Sequence, residues 1–192
     1  MVTAAQRGQE VRQRLLRAAA ELIVERGWTA VTTRVLAQRA GVAPGLVHYH
    51  FTSVQALLVE AAVDAARSLA AQTGPVLAGA HTASEVLTAL WGSLDTVSGT
   101  DPTSVLFVEA YLAATRDERL RQALGEAIGL FRGQLAERLA AHAVPDPEAT
   151  AAVLAAAIDG VLLHRALVAG PSGDALAAVL RRLVTPGSED AR

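Results

Sequence analysis

From residue 9 to residue 184, apolar side chains recur at three- and four-residue intervals, and no useful stretch alternates with period two. That spacing places apolar groups along one stripe of an α-helix and leaves nothing to build the face of a sheet. The chain is therefore expected to be all-α, with about nine helices. Each stripe ends at a recognisable stop or begins at a recognisable cap. Residues 1–8 are polar and read as frayed, and a first helix then runs from Gln9 to Arg26 and ends at Gly27. Thr52 and Ser53, with Gln55 completing a capping box, open a long helix that Gly74-Pro75 breaks near Gln72. Thr82-x-x-Glu85 opens the next, carrying Val86, Leu87, Leu90, Trp91 and Leu94. Asp101-Pro102, Thr115-x-x-Glu118 and Asp146-Pro147 open three more, the last reaching about Ala169. Asp174 to Val184 forms the final helix, before Pro186.

The segment Thr32–Phe51, T-T-R-V-L-A-Q-R-A-G-V-A-P-G-L-V-H-Y-H-F, is the most specific in the chain. It predicts a short helix from Arg34 to Ala40 that stops at Gly41. A second short helix then starts at Pro44, whose fixed φ already suits a first helical position. Two such helices around a glycine turn have the helix-turn-helix layout, in which the second helix enters the DNA major groove. Transcription control is the reading that follows.

Charge agrees with that reading once the chain is divided. The net charge is −2, and every one of the 17 basic residues is arginine. Residues 1–53 hold seven arginines against Glu10, Glu21 and Glu25, or +4; the remainder holds ten against sixteen acids, or −6. One basic end on a mildly acidic body suits phosphate binding by that end alone. The absence of cysteine excludes disulfide and thiol chemistry. No metal-spaced His/Glu cluster, glycine-rich phosphate loop or serine elbow is found, so an enzyme is not expected, and neither a cofactor nor a metal is called for. The sequence has neither an uncharged apolar run of membrane-spanning length nor a signal-peptide pattern, which points away from the membrane and toward the cytoplasm.

The same segment, preceded by Gly27-Trp28 and followed by a long helix, resembles the tetracycline-repressor (TetR) family of bacterial regulators. The resemblance is detailed over roughly residues 9–60 and beyond that rests on helix number and length. It implies an N-terminal helix-turn-helix DNA-binding domain, placed here at 1–53. It also implies a helical ligand-binding and dimerisation domain at 54–192. Residue by residue it makes Leu36, Ala37, Ala40, Val42, Val47 and Phe51 buried. Thr32, Thr33 and Arg34 become the phosphate-facing start of the second helix. Ala43, Pro44, Gly45, Leu46, His48, Tyr49 and His50 fall in or beside the recognition helix. Ala43 stands where the family often has a hydroxyl, His48 where tyrosine is usual, and Val54 where a lysine often grips the backbone. Tyr49 has two readings, a groove contact or packing against the first helix, and Trp28 reads as core.

The helical body is less specific. Trp91, Phe107, Tyr111 and Phe131 read either as core or as the lining of an apolar cavity between helices. His81, Glu109, Gln134, Asp159 and His164 are the candidate polar fixtures, with Gln134 and Asp159 foremost. Gly125, Gly129 and Gly133 form a stripe that would give room for a close helix or a ligand, unless it is mere composition. Apolar surface on the last two helices predicts a homodimer through Leu154, Ile158, Leu162, Leu176, Val179 and Leu180. The function expected is a dimeric, ligand-responsive regulator of transcription. Its partners would be a double-stranded, near-palindromic operator and a small, largely apolar effector that releases it from DNA. The alternative is a DNA-binding regulator controlled by a partner protein rather than a small molecule.

Overall fold

The structure, a computed structural model, describes residues 3–93 and 97–184. Leu94 and Pro186, expected near helix ends, lie outside the described residues. Nine α-helices and one 3₁₀ turn account for the regular structure among the described residues, which bears out the all-α expectation. The helices are α1 (Ala4–Arg26), α2 (Thr33–Ala40), α3 (Pro44–His50), α4 (Val54–Ala78), α5 (Ala83–Ser93), α6 (Pro102–Ala114), α7 (Glu118–Ala141), α8 (Pro147–Arg165) and α9 (Gly173–Val184). Trp28–Ala30 forms the 3₁₀ turn.

Local chemistry sets most helix starts. Ser53 caps α4 by accepting from the Ala56 N–H at 3.0 Å. Thr82 accepts from the Glu85 N–H at 3.1 Å before α5. Asp101 accepts from the N–H groups of Thr103 and Ser104 before α6. Elsewhere the expected boundaries move. α1 begins at Ala4 because Thr3 and Gln6 form a reciprocal capping box, so residues 4–8 are helical rather than frayed. α4 continues through Pro75 to Ala78. Gly74 has no Cβ to clash with the proline ring, and Pro75 sits in the last turn, where one lost hydrogen bond matters least. Asp117, not Thr115, caps α7, accepting from the Leu120 N–H at 3.0 Å. Asp146 precedes α8 in the left-handed region at φ 44° and offers no side-chain cap. α8 ends at Arg165, short of Ala169.

Packing gathers the chain into two units, Met1–Ala66 with Val105–Gly125, and Arg67–Ser104 with Glu126–Arg192. The boundary expected at residue 53 falls within the first of these units. The first hydrophobic core joins Leu15, Leu22, Ile23, Leu36 and Val47 to Leu57 and Leu58 of α4, Leu106 and Ala110 of α6, and Leu120 and Leu124 of α7. The second core gathers Leu77, Val86, Leu87, Leu90, Trp91, Leu135, Leu139, Ala151, Leu154, Ala177 and Val184. Within it α5 lies along α9.

The glycine stripe of α7 does not serve close packing within the chain. A Cβ built on Gly125, Gly129 or Gly133 meets nothing within 4 Å. Gly129→Ala is therefore expected to stabilise the protein by about 0.5–1 kcal/mol, through helix propensity alone. A fall in melting temperature would show that the stripe is covered after all.

Candidate nucleic-acid interface and helical body

α2 and α3 are positioned by a small set of buried contacts. Leu36, Ala37, Ala40, Val47 and Phe51 are buried in the first core, and Val42 packs against it. Gly41 adopts the left-handed conformation (φ 64°, ψ 40°), and its N–H and that of Val42 close the end of α2 on the carbonyls of Ala37 and Gln38. Only glycine enters that region without steric cost, which is why the turn falls here. Pro44 then occupies the start of α3, and Ala43 gives it no side-chain cap. Thr32 does cap α2, accepting from the Val35 N–H at 3.4 Å.

The opposite side of this pair faces solvent. Thr32, Arg34, Ala43, Pro44, Gly45, Leu46, His48 and Tyr49 are exposed, and Thr33 and His50 are half-buried. Tyr49 is 81 % exposed, which removes the reading in which it packs against α1. Its ring stands edge-on to His50 with centroids 5.0 Å apart. His48 Nε2 lies 3.4 Å from Thr33 Oγ1, joining α3 to the start of α2. One short helix thus presents a tyrosine, two imidazoles and a leucine on a rigid apolar base, beside a second helix start that carries two hydroxyls and an arginine.

Not all the basic charge counted from the sequence is offered to a partner. Arg39 of α2 donates to Glu21 at 3.0 Å and to Glu25 at 2.8 Å, clamping α2 to α1. That guanidinium holds the Glu25 carboxyl below its usual range and is itself held more firmly protonated. Arg12 pairs with Glu60 and lies over the Phe51 ring, 5.0 Å from its centroid. Arg34, by contrast, is exposed beside the two threonine hydroxyls.

A polar chain that the sequence reading missed completes the first unit. The Trp28 N–H donates to Glu109 Oε2 at 2.9 Å, and the Trp28 indole N–H donates to Gln55 Oε1 at 3.2 Å. Gln55 Nε2 donates in turn to Asp117 Oδ2 at 2.9 Å. Backbone and amide donors to Asp117 hold its carboxyl below the ordinary value. Gln55 is thus committed to this chain and not to a capping box with Thr52, and Glu109, a candidate polar fixture, is engaged by the Trp28 N–H. Trp28 is buried in this core, as expected. Glu109 lies 81 residues from Trp28, so no local pattern could have paired them.

The candidate effector residues are divided between the two units. Phe107 and Tyr111 belong to the first unit, whereas Trp91, Phe131, Gln134 and Asp159 belong to the second. Gln134 and Asp159 are exposed. Trp91 is fully buried, and Phe131 packs against the same core. None of the six lines either of two surface depressions. One, of about 390 Å³, is bounded by α4 and the start of α7, and the other, of about 300 Å³, by Arg165, Ser98 and the segment 168–172. The candidate dimer residues also divide. Leu154 is 0 % exposed, held within its own subunit, so it is not available to a second chain. Ile158, Leu162, Leu176 and Leu180 pack against that core. The outward apolar groups are Val179, Val153, Leu163, Leu167 and Val168, of which only Val179 was expected.

A helix-turn-helix whose second helix is exposed on a buried apolar base is the arrangement by which regulators of transcription bind DNA. Comparison with known proteins gives the family. The pattern of bacterial regulatory proteins of the tetR family matches residues 15–61, and that of the tetracyclin repressor-like C-terminal domain matches residues 78–186. The HTH-type transcriptional regulator BetI of Agrobacterium fabrum is 32 % identical over 171 residues, covering 88 % of this chain and 83 % of that protein. A crystal structure of a Streptomyces coelicolor A3(2) protein assigned as a transcriptional regulator is 34 % identical, with a TM-score of 0.78 over 92 % of this chain and 99 % of the other. The multidrug binding protein EbrR, solved with imidazole, is 30 % identical, with a TM-score of 0.68 over 93 % of this chain and 97 % of its own. The chain belongs to the TetR family of transcriptional regulators.

Proposed function

We propose that the protein is a homodimeric, effector-controlled repressor acting in the cytoplasm. Two copies of α3 would read successive major grooves of a near-palindromic operator. The observation that carries the DNA-binding part is the sidedness of α2 and α3: Leu36, Val47 and Phe51 inside, Arg34, His48 and Tyr49 outside. Phosphates are met by arginine, hydroxyls and helix-start N–H groups, and base edges by side chains in the groove. Thr32, Thr33 and Arg34 suit the first role, and Leu46, His48, Tyr49 and His50 the second.

The dimer reading rests on α8. Among the described residues it alone is long and apolar enough to hold an 18-residue window of mean hydropathy 1.2, and only 17 % of that window is buried in the single chain. Glu148 and Asp159 lie in the same helix, and its uncovered apolar side chains suit a second copy better than water. Val153 and Leu163 of α8 are exposed, as is Leu167 just past the helix end. Effector control is supported by EbrR, a relative of similar architecture that binds imidazole.

The reading is tested on the full-length protein with a duplex selected from random sequence. Compounds that raise the melting temperature are then added to the protein–DNA complex and fluorescence anisotropy is followed. Release of DNA by at least one stabilising compound is expected. Retention of DNA at unchanged affinity with all of them would leave a partner-controlled regulator instead. Leu163→Asp is expected to give monomers in sedimentation and to weaken binding to the full palindrome far more than to a half-site. A stable dimer of that variant would overturn the α8 interface.

A further inference from the structure

Trp91 is the largest fully buried side chain among the described residues, and it belongs to the second core. Its indole Nε1–H is buried and has no hydrogen-bond partner, the only such side-chain donor among the described residues. The other tryptophan shows what this donor ordinarily does: the indole of Trp28 reaches Gln55 Oε1 at 3.2 Å. Burying an N–H without an acceptor is unfavourable, and a wholly apolar side chain of similar shape would avoid the cost. Among the described residues this core is apolar: Leu77, Val86, Leu87, Leu90, Leu135, Leu139, Ala151 and Leu154 share it with Trp91, and Phe131 packs against it. Ser104 is the one buried polar residue among the described residues, and its hydroxyl is committed to Asp101.

We propose that the Trp91 indole N–H is the hydrogen-bond donor of an effector site inside the second core. This rests on the effector-controlled reading above and gives the effector a chemical class. An apolar shell with one directed donor selects a compact neutral molecule carrying a single acceptor, such as a ketone, ester or aromatic nitrogen. A permanent cation finds no buried carboxylate there, because no buried charged residue occurs among the described residues. Phe131, half-buried against the same core, is the aromatic surface on which such a molecule would rest. The site therefore opens by displacement of packed side chains, as a minor state made dominant by its ligand.

The test uses acetophenone and ethylbenzene, which are close in size and differ in one carbonyl. The carbonyl loses its hydration on entering an apolar core, so it is favoured only if a donor meets it. The chain has two tryptophans, so a ¹H–¹⁵N spectrum of the wild-type protein shows two indole signals, and Trp91→Phe assigns them by removing one. Acetophenone is expected to move the Trp91 indole signal downfield, to leave that of Trp28 in place, and to bind about tenfold more tightly than ethylbenzene. In Trp91→Phe the preference is expected to reverse. An unmoved Trp91 signal at saturating acetophenone, or equal preference in wild type and variant, would overturn the proposal and leave the indole to an internal water. Operator binding is followed in the same samples. Acetophenone that moves Trp91 without changing DNA affinity would retain the site and refute effector control through it. Loss of operator binding by the protein alone would refute the regulator reading and leave the spectral result standing.

Discussion

Replacing Gly99 by alanine is expected to destabilise the second unit by on the order of 4 kcal/mol, a large effect for the addition of one methyl group. Two independent costs combine. Gly99 has φ +79°, where a side chain is strained whatever space surrounds it. A Cβ there would also overlap the carbonyl oxygen of Leu162 and come within 2.7 Å of the Ala166 nitrogen. Those are backbone atoms near the end of α8 and cannot turn aside as a long side chain would. The segment is tied at the same place by Arg165, whose guanidinium donates to the Val97 carbonyl at 3.3 Å and to that of Pro171 at 3.3 Å. Chemical denaturation of Gly99→Ala against wild type checks the expectation. An unchanged midpoint would mean that residues 97–100 do not pack on α8.

In the proposed dimer, Arg34→Ala is expected to weaken DNA binding by on the order of 10²–10⁴-fold, because each of the two subunits would lose a charged hydrogen bond to phosphate worth about 1.5–3 kcal/mol. The loss should be nearly the same for every duplex, since phosphates carry no sequence information. The slope of log affinity against log salt should become shallower by about 2, one phosphate contact per subunit. Arg39→Ala is the instructive contrast. Arg39 is bound to Glu21 and Glu25, so its loss should loosen α2 from α1 and lower stability rather than remove a phosphate contact. Anisotropy titrations at several salt concentrations separate the two. An unchanged affinity and slope for Arg34→Ala would remove Arg34 from the phosphate surface.

Much of the fold was legible because its signals are local. Gly41 before Pro44, Asp101 before Pro102 and Ser53 before Val54 each act over a few residues, and the structure places a helix boundary at each. Where the sequence reading failed, a distant group or a compensating neighbour decided. Pro75 reads as a helix stop, yet Gly74 removes the clash that usually enforces one. Gln55 and Glu109 read as a cap and a cavity fixture, yet both are drawn to Trp28. Leu154 reads as an interface residue because an apolar helix does not show which side its own core covers. The buried and exposed sides of α2 and α3 were the most legible part, since two short helices have little choice about which side is buried. Trp91 was legible as a large aromatic group, but its unpartnered N–H was not.

If α3 reads base sequence through its exposed face, Tyr49, the most exposed large group on that helix, is where the reading shows first. Selecting duplexes from a random pool with wild type and with Tyr49→Ala tests this most directly. Wild type is expected to select a near-palindrome, and the variant, still folded, a palindrome altered at one symmetric pair of positions. The same palindrome from both proteins would remove Tyr49 from sequence reading, and no selected duplex from wild type would contradict sequence-specific binding by α3 altogether.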